Sequence, residues 1–160
     1  MVELHEDLYN KRQTTARIFQ LARKFSGDLD NVYTMINGGT VPLSALTLIE
    51  YFDLVKNIPY KRDIAPVEIV SRPVIIFENY LLGIGRDCKK AAVLIGSYLE
   101  KKRFLWRLAV ISTRPDKKIH HVFPQADIHA NGNYLNLDAT YSSMKPFQKK
   151  QATAIEYIYP

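Results

Sequence analysis

Residues 85–111 read GRDCKKAAVLIGSYLEKKRFLWRLAVI, and this stretch decides the architecture. Ala91, Ala92, Leu94, Ile95, Tyr98 and Leu99 recur at helical spacing, while Lys89, Lys90, Glu100, Lys101 and Lys102 fall outside that stripe. The pattern predicts a buried helix from Cys88 to about Lys102 with a solvated flank, and Asp87 is of the type that caps a helix start. The period then changes from 3.6 to 2, and Phe104 to Ser112 reads as a strand. A helix running directly into a strand with no long linker places both in one folding unit.

Working outward toward the C-terminus, Ile119 to Ala126 and Asn133 to Asp138 repeat the strand pattern. Thr113-Arg114-Pro115-Asp116 and the hairpin signal Asn131-Gly132 separate the three, which makes the second half an antiparallel sheet. Ala154 to Tyr159 alternates in the same way and offers a fourth strand. Toward the N-terminus, Leu4 to Phe25 reads as an amphipathic helix, a second short helix is expected over Asp30 to Ile36, stopped by Asn37-Gly38-Gly39, and a third is expected from Ser44 to about Lys56. Val67 to Val70 is strand or extended linker, and Val74 to Leu82 is helix or buried strand. Gly83-Ile84-Gly85 forces a turn immediately before the cysteine-bearing helix. The expected fold is α+β, with N-terminal helices and a Cys-bearing central helix packed on an antiparallel sheet of three to four strands. One domain spans 1–160, divided into a helical N-terminal extension, 1–50, and a core, 51–160.

Composition agrees with an ordinary folded globule. Of 160 residues, 47% are hydrophobic and 24% charged, with only 7 Gly and 8 Pro, which excludes disorder and collagen-like or low-complexity scaffolds. A lone cysteine excludes an internal disulfide and a multi-cysteine zinc site. No window holds the roughly 18 apolar residues of a spanning helix, and MVELHEDLYNKRQ has no apolar signal region. The expected location is the cytoplasm of a bacterial cell, or a virion if the chain is phage-encoded, with no membrane association. The net charge of +6 gives only weak attraction for nucleic acid, because Lys89-Lys90, Lys101-Lys102-Arg103, Lys117-Lys118 and Lys149-Lys150 are scattered.

The chemistry converges on Cys88. In the first turn of a helix a thiolate gains the partial positive charge of unpaired backbone N–H groups, and Arg86, Lys89 and Lys90 add to it. Asp87 opposes this unless its carboxylate turns back to cap the helix. His120 and His121 are candidate bases, and because strand side chains alternate, only one of them faces a given helix end. A hairpin closing at Asn131-Gly132 brings Asp138 near the level of His121, the relation of an imidazole fixed by a carboxylate. Zinc is another reading of Cys88, His120, His121 and Asp138, but adjacent histidines on a strand point apart, so neither a metal nor another cofactor is expected.

The run 85–111, IHHVF at 119–123 and GNYLNLDATY at 132–141 together resemble the core of the transglutaminase-like superfamily, within the papain-like cysteine enzymes. IPYKRDIAPVEIVSRP at 58–73 resembles the segment leading into the cysteine helix in short bacterial and phage-encoded members, so the likeness covers about residues 50–141. It implies a papain-like core with Cys88 as nucleophile, His121 as base and Asp138 as the third member. His121 takes the base position because Phe123 then falls where the family places its aromatic residue. The implied activity is thiol-dependent hydrolysis or acyl transfer on peptide or carboxamide bonds of a protein or peptide substrate. Three features depart from the family pattern. Lys89-Lys90 stands where short members carry acidic residues, Ala139 replaces a proline, and no upstream glutamine serves the oxyanion, leaving Asn79 and Tyr80 as the polar candidates. The alternative is a non-catalytic structural or binding module that keeps the fold, such as a phage structural component.

Overall fold

The computed structural model describes residues 11–62 and 70–160, so Leu4 to Asn10 of the expected first helix and Val67 to Ile69 lie outside the described residues. The architecture is α+β, with four α-helices and two antiparallel sheets among the described residues. Helix α1 covers Lys11–Lys24, and a 3₁₀ turn follows over Ser26–Asp30.

Two expectations for the first third are corrected. Asp30 to Ile36 is not a helix: β1, Tyr33–Ile36, and β2, Gly39–Pro42, form a hairpin. Asn37 and Gly38 adopt φ of 48° and 77°, the left-handed pair that a tight two-residue hairpin turn requires. The signal taken as a helix stop is therefore a hairpin turn. The next helix, α2, spans Leu48–Lys56, and Ser44 lies instead in a 3₁₀ turn over Leu43–Ala45. Thr47 is its cap: the hydroxyl accepts from Glu50 N, and the Glu50 carboxylate accepts from Thr47 N at 2.8 Å. That reciprocal box satisfies two backbone donors which Ser44 has no means to reach.

The ambiguous Val74 to Leu82 stretch is helix α3, Pro73–Leu81, with proline at the first helical position, where its missing N–H costs nothing. The Asp28 carboxylate reaches across to this helix, accepting from Arg72 Nε at 2.9 Å and from Val74 N at 3.1 Å. The two glycines that follow act differently. Gly83 sits at φ 76°, whereas Gly85 is required by close approach, because a Cβ there would lie 2.4 Å from the Pro59 carbonyl oxygen. That approach closes a parallel bridge between Tyr60 and Arg86.

Helix α4, Cys88–Lys101, is the centre of the molecule. Every residue from Cys88 to Leu99 is buried, including Lys89 and Lys90, which corrects the expectation of a solvated flank there. The periodicity holds, but α1, α2, α3 and the sheet pack around the helix and enclose even its first turn. Four strands form the main sheet in the order β5-β4-β3-β6: β3 is Leu105–Ser112, β4 His121–Asp127, β5 Leu135–Asn136 and β6 Ala154–Ile158. Strand β5 is shorter than expected because the Asp127 carboxylate accepts from Asn131 N and Gly132 N at 3.0 and 2.8 Å, holding a wide loop in place of a tight turn.

Gly96 lets α4 pack tightly against Trp106 and Ala22. A Cβ at this position would lie 2.6 Å from the Trp106 ring and 3.2 Å from Ala22. Alanine is the better helix former by about 1 kcal/mol, but overpacking against a fixed indole costs about 1–3 kcal/mol. Gly96→Ala is therefore expected to lower the urea midpoint rather than raise it.

Candidate active site

Cys88 is the first residue of α4, and Asp87 caps the helix by accepting from Lys90 N at 3.0 Å. The Lys89 ammonium lies 2.9 Å from the other Asp87 oxygen. The carboxylate that would disfavour a thiolate is thus engaged by the helix end and by a cation.

His121 opens β4, and its ring lies 5.6 Å from that of Phe123 on the same face of the strand. Its Nε2 is 2.7 Å from Asp138 Oδ2. The other Asp138 oxygen accepts from Thr140 N at 3.1 Å and from the Thr140 hydroxyl at 2.6 Å. Burial by itself raises the Asp138 pKa, but the charge and hydrogen bonds of His121 and Lys150 outweigh it and hold the carboxyl well below the usual range. With Nε2 turned to Asp138, Nδ1 is the ring nitrogen left to exchange a proton with a thiol.

Cys88 and His121 line one pocket of about 20 Å³, together with His120, Lys89, Thr15 and Lys11. A space of that size accommodates about one water molecule. His120 turns its Nε2 to Thr113, accepting from Thr113 N at 3.1 Å, and burial lowers its pKa. The upstream polar candidates are on α3: Asn79 is half-buried and its carbonyl accepts from Ile84 N, while Tyr80 is exposed. Neither lines the pocket. Among the described residues no three His, Cys, Asp or Glu side chains are grouped to hold a metal ion.

Three further residues complete the surroundings of the site; of these only Arg86 is singled out in the sequence, and there only for its charge beside Cys88. Arg86, fully buried two residues before Cys88, donates to the carbonyls of Val55 at 2.8 Å, Ala139 at 2.6 Å and Thr140. It joins the loop before Cys88 to the residues directly after Asp138. Burial lowers its pKa to about 10, against the opposing pull of Asp138, Asp87, Cys88 and Tyr60. Lys150 pairs with the same Asp138 oxygen as His121 and lies over the Phe123 ring. Tyr60 packs against Tyr141 with ring centroids 4.9 Å apart and planes tilted by 43°, and its pKa is raised to about 12, chiefly by burial and then by Cys88. The arginine beside the cysteine was a readable signal. For Lys150, in a polar C-terminal stretch, the sequence offers none.

Comparison of the chain with protein-family models, curated proteins and solved structures finds no match. Among the described residues no helix is long and apolar enough to cross a membrane.

Proposed function

We propose that the chain is a cysteine enzyme of transglutaminase-like type with a papain-like core, acting on a peptide or carboxamide bond. Cys88 Sγ attacks the carbonyl carbon while its proton passes to His121 Nδ1. The tetrahedral oxyanion is met by the Cys88 backbone N–H at the start of α4. His121 then returns the proton to the departing amine, leaving a thioester on Cys88. Water releases an acid, or a second amine forms a new amide, in each case with His121 taking the incoming proton. Asp138 keeps the imidazole in the tautomer that presents Nδ1 as acceptor. The observation that carries this reading is the 2.7 Å bond from His121 Nε2 to Asp138, made by a histidine that lines one pocket with the cysteine that opens α4.

A second reading, a non-catalytic module with the same fold, draws on the pocket's 20 Å³, too small for a peptide without movement of the side chains around it. Iodoacetamide labelling across pH separates the two. An enzyme is expected to react at Cys88 with a profile displaced to acid relative to His121→Ala and to lose all labelling in Cys88→Ala. A profile identical in wild type and His121→Ala, centred near the ordinary thiol value of about 8.5, selects the non-catalytic module.

A further inference from the structure

A second, larger cavity adjoins the candidate site. It is a groove of about 490 Å³ between helix α1 and the C-terminal strand, with Arg12, Ala16 and Phe19 on one wall and residues 156–160 on the other. Lys11 and Thr15 line both this groove and the pocket that holds Cys88 and His121, so the two spaces are neighbours that share one turn of α1 as a wall. The strand side of the groove is the rim of the main sheet. Among the described residues β6 pairs with β3 alone, and its outer edge presents a row of backbone donors and acceptors. Among the described residues, the helical wall of the groove carries Lys11 and Arg12 and no acidic residue. Lys11 pairs across the groove with Glu156, which leaves exposed Arg12 as the cation at its mouth.

We infer that an extended peptide bearing an acidic side chain adds to the outer edge of β6 as a fifth strand, its carboxylate meeting Arg12 and its chain passing Thr15 toward Cys88. This rests on the proposed chemistry only for what happens at Cys88; the strand addition itself depends on backbone bonding and charge. An edge that no described strand covers, lying beside a groove, offers backbone groups to a partner with its own, and Arg12 on the helical wall favours an acidic side chain. The substrate class is then an acidic segment in extended conformation rather than a folded helix or a free amino acid.

The test uses the full chain carrying Cys88→Ala and a fluorescein-labelled acetyl-Val-Thr-Asp-Val-Thr-Val peptide, read by anisotropy. Two further versions are N-methylated at alternate residues, and a third has Lys in place of Asp. In a β-strand alternate N–H groups point to opposite sides. One N-methylated version is therefore expected to bind like the parent and the other at least tenfold more weakly. The Lys version is expected to bind more weakly than the parent, and Arg12→Glu to reverse that order. Equal binding of the two N-methylated versions, or an Arg12→Glu chain that keeps the acidic preference, overturns the proposal. So does a dimer in sedimentation that competes with the peptide for β6, which would assign the edge to a second copy. Because the binding chain lacks the thiol, a groove that binds as expected alongside an unactivated Cys88 refutes the chemistry and leaves the groove standing.

Discussion

Arg86→Met is expected to lower the unfolding free energy by about 3–4 kcal/mol, read as a reduced urea midpoint at unchanged slope. The guanidinium is fully buried and donates to three carbonyls, and each hydrogen bond to a charged donor contributes about 1.5–3 kcal/mol. The Val55 carbonyl also accepts from Ile58 N at 3.1 Å, so it keeps a partner when the arginine is removed. The main loss falls on the Ala139 and Thr140 carbonyls. Relief of the arginine's own desolvation, which pulls its pKa to about 10, offsets part of that loss. A deficit of 3–4 kcal/mol remains large against the 5–15 kcal/mol that holds an ordinary domain folded. Arg86→Lys keeps a charge but lacks the planar fork that reaches three acceptors, so it is expected to recover less than half of the loss. A midpoint within error of wild type in Arg86→Met would show that water takes over at these carbonyls and that the residue is not the tie between the Cys88 loop and the segment after Asp138.

That tie also shows where sequence reading succeeds and where it stops. The helix from Cys88, its Asp87 cap and the antiparallel strands of the second half follow from local periodicity and side-chain chemistry, and each is present in the structure, whereas the place of β6 beside β3 is not encoded locally. The burial of Lys89 and Lys90 was not legible, because periodicity describes a helix's own faces and not how many neighbours surround it. The hairpin of β1 and β2 was missed although Asn37-Gly38 announces it, because the same two residues also end helices and only the partner strand decides between the two uses. In the candidate site, antiparallel strands bring Asp138 near the level of the two histidines, and the choice of His121 over His120 comes from the position of Phe123 in the family resemblance; the structure pairs His121 with Asp138. Lys150 reaches Asp138 from twelve residues downstream through an irregular segment, and no periodicity encodes such a return. The groove beside β6 belongs to the same class, since it exists only where the first described helix and the last strand come together.

Asp138→Asn is expected to remove nearly all His121-dependent reactivity at Cys88, a loss on the order of 10³–10⁴ in rate by analogy with the loss of tautomer control in a serine protease triad. The reason lies in the count of donors around this carboxylate. Oδ2 faces His121 Nε2 and the Lys150 ammonium, and Oδ1 faces the Thr140 N–H and hydroxyl. All four positions are filled by donors or by groups able to donate, and an asparagine has a single oxygen to offer. If its oxygen stays with Thr140, the amide NH₂ meets the Lys150 ammonium and drives the imidazole proton onto Nδ1, where it can no longer accept from a thiol. If the amide flips, NH₂ opposes the Thr140 N–H. Either arrangement leaves a buried donor facing a donor, so a stability loss of about 2 kcal/mol near neutral pH accompanies the loss of reactivity. The two effects have different pH signatures. The folded-state pKa of Asp138 is held below its ordinary value of 3.8, so its ionised form contributes stability that is present above about pH 4 and drains away as pH falls below it. Wild-type stability is therefore expected to decline between pH 4 and pH 2 more steeply than that of Asp138→Asn, by up to about 1.4 kcal/mol per pH unit, and the two curves converge in acid. Parallel curves across that window would mean that the carboxylate is not held by His121 and Lys150, and the assignment of Asp138 as the group that orients the imidazole would fall with it.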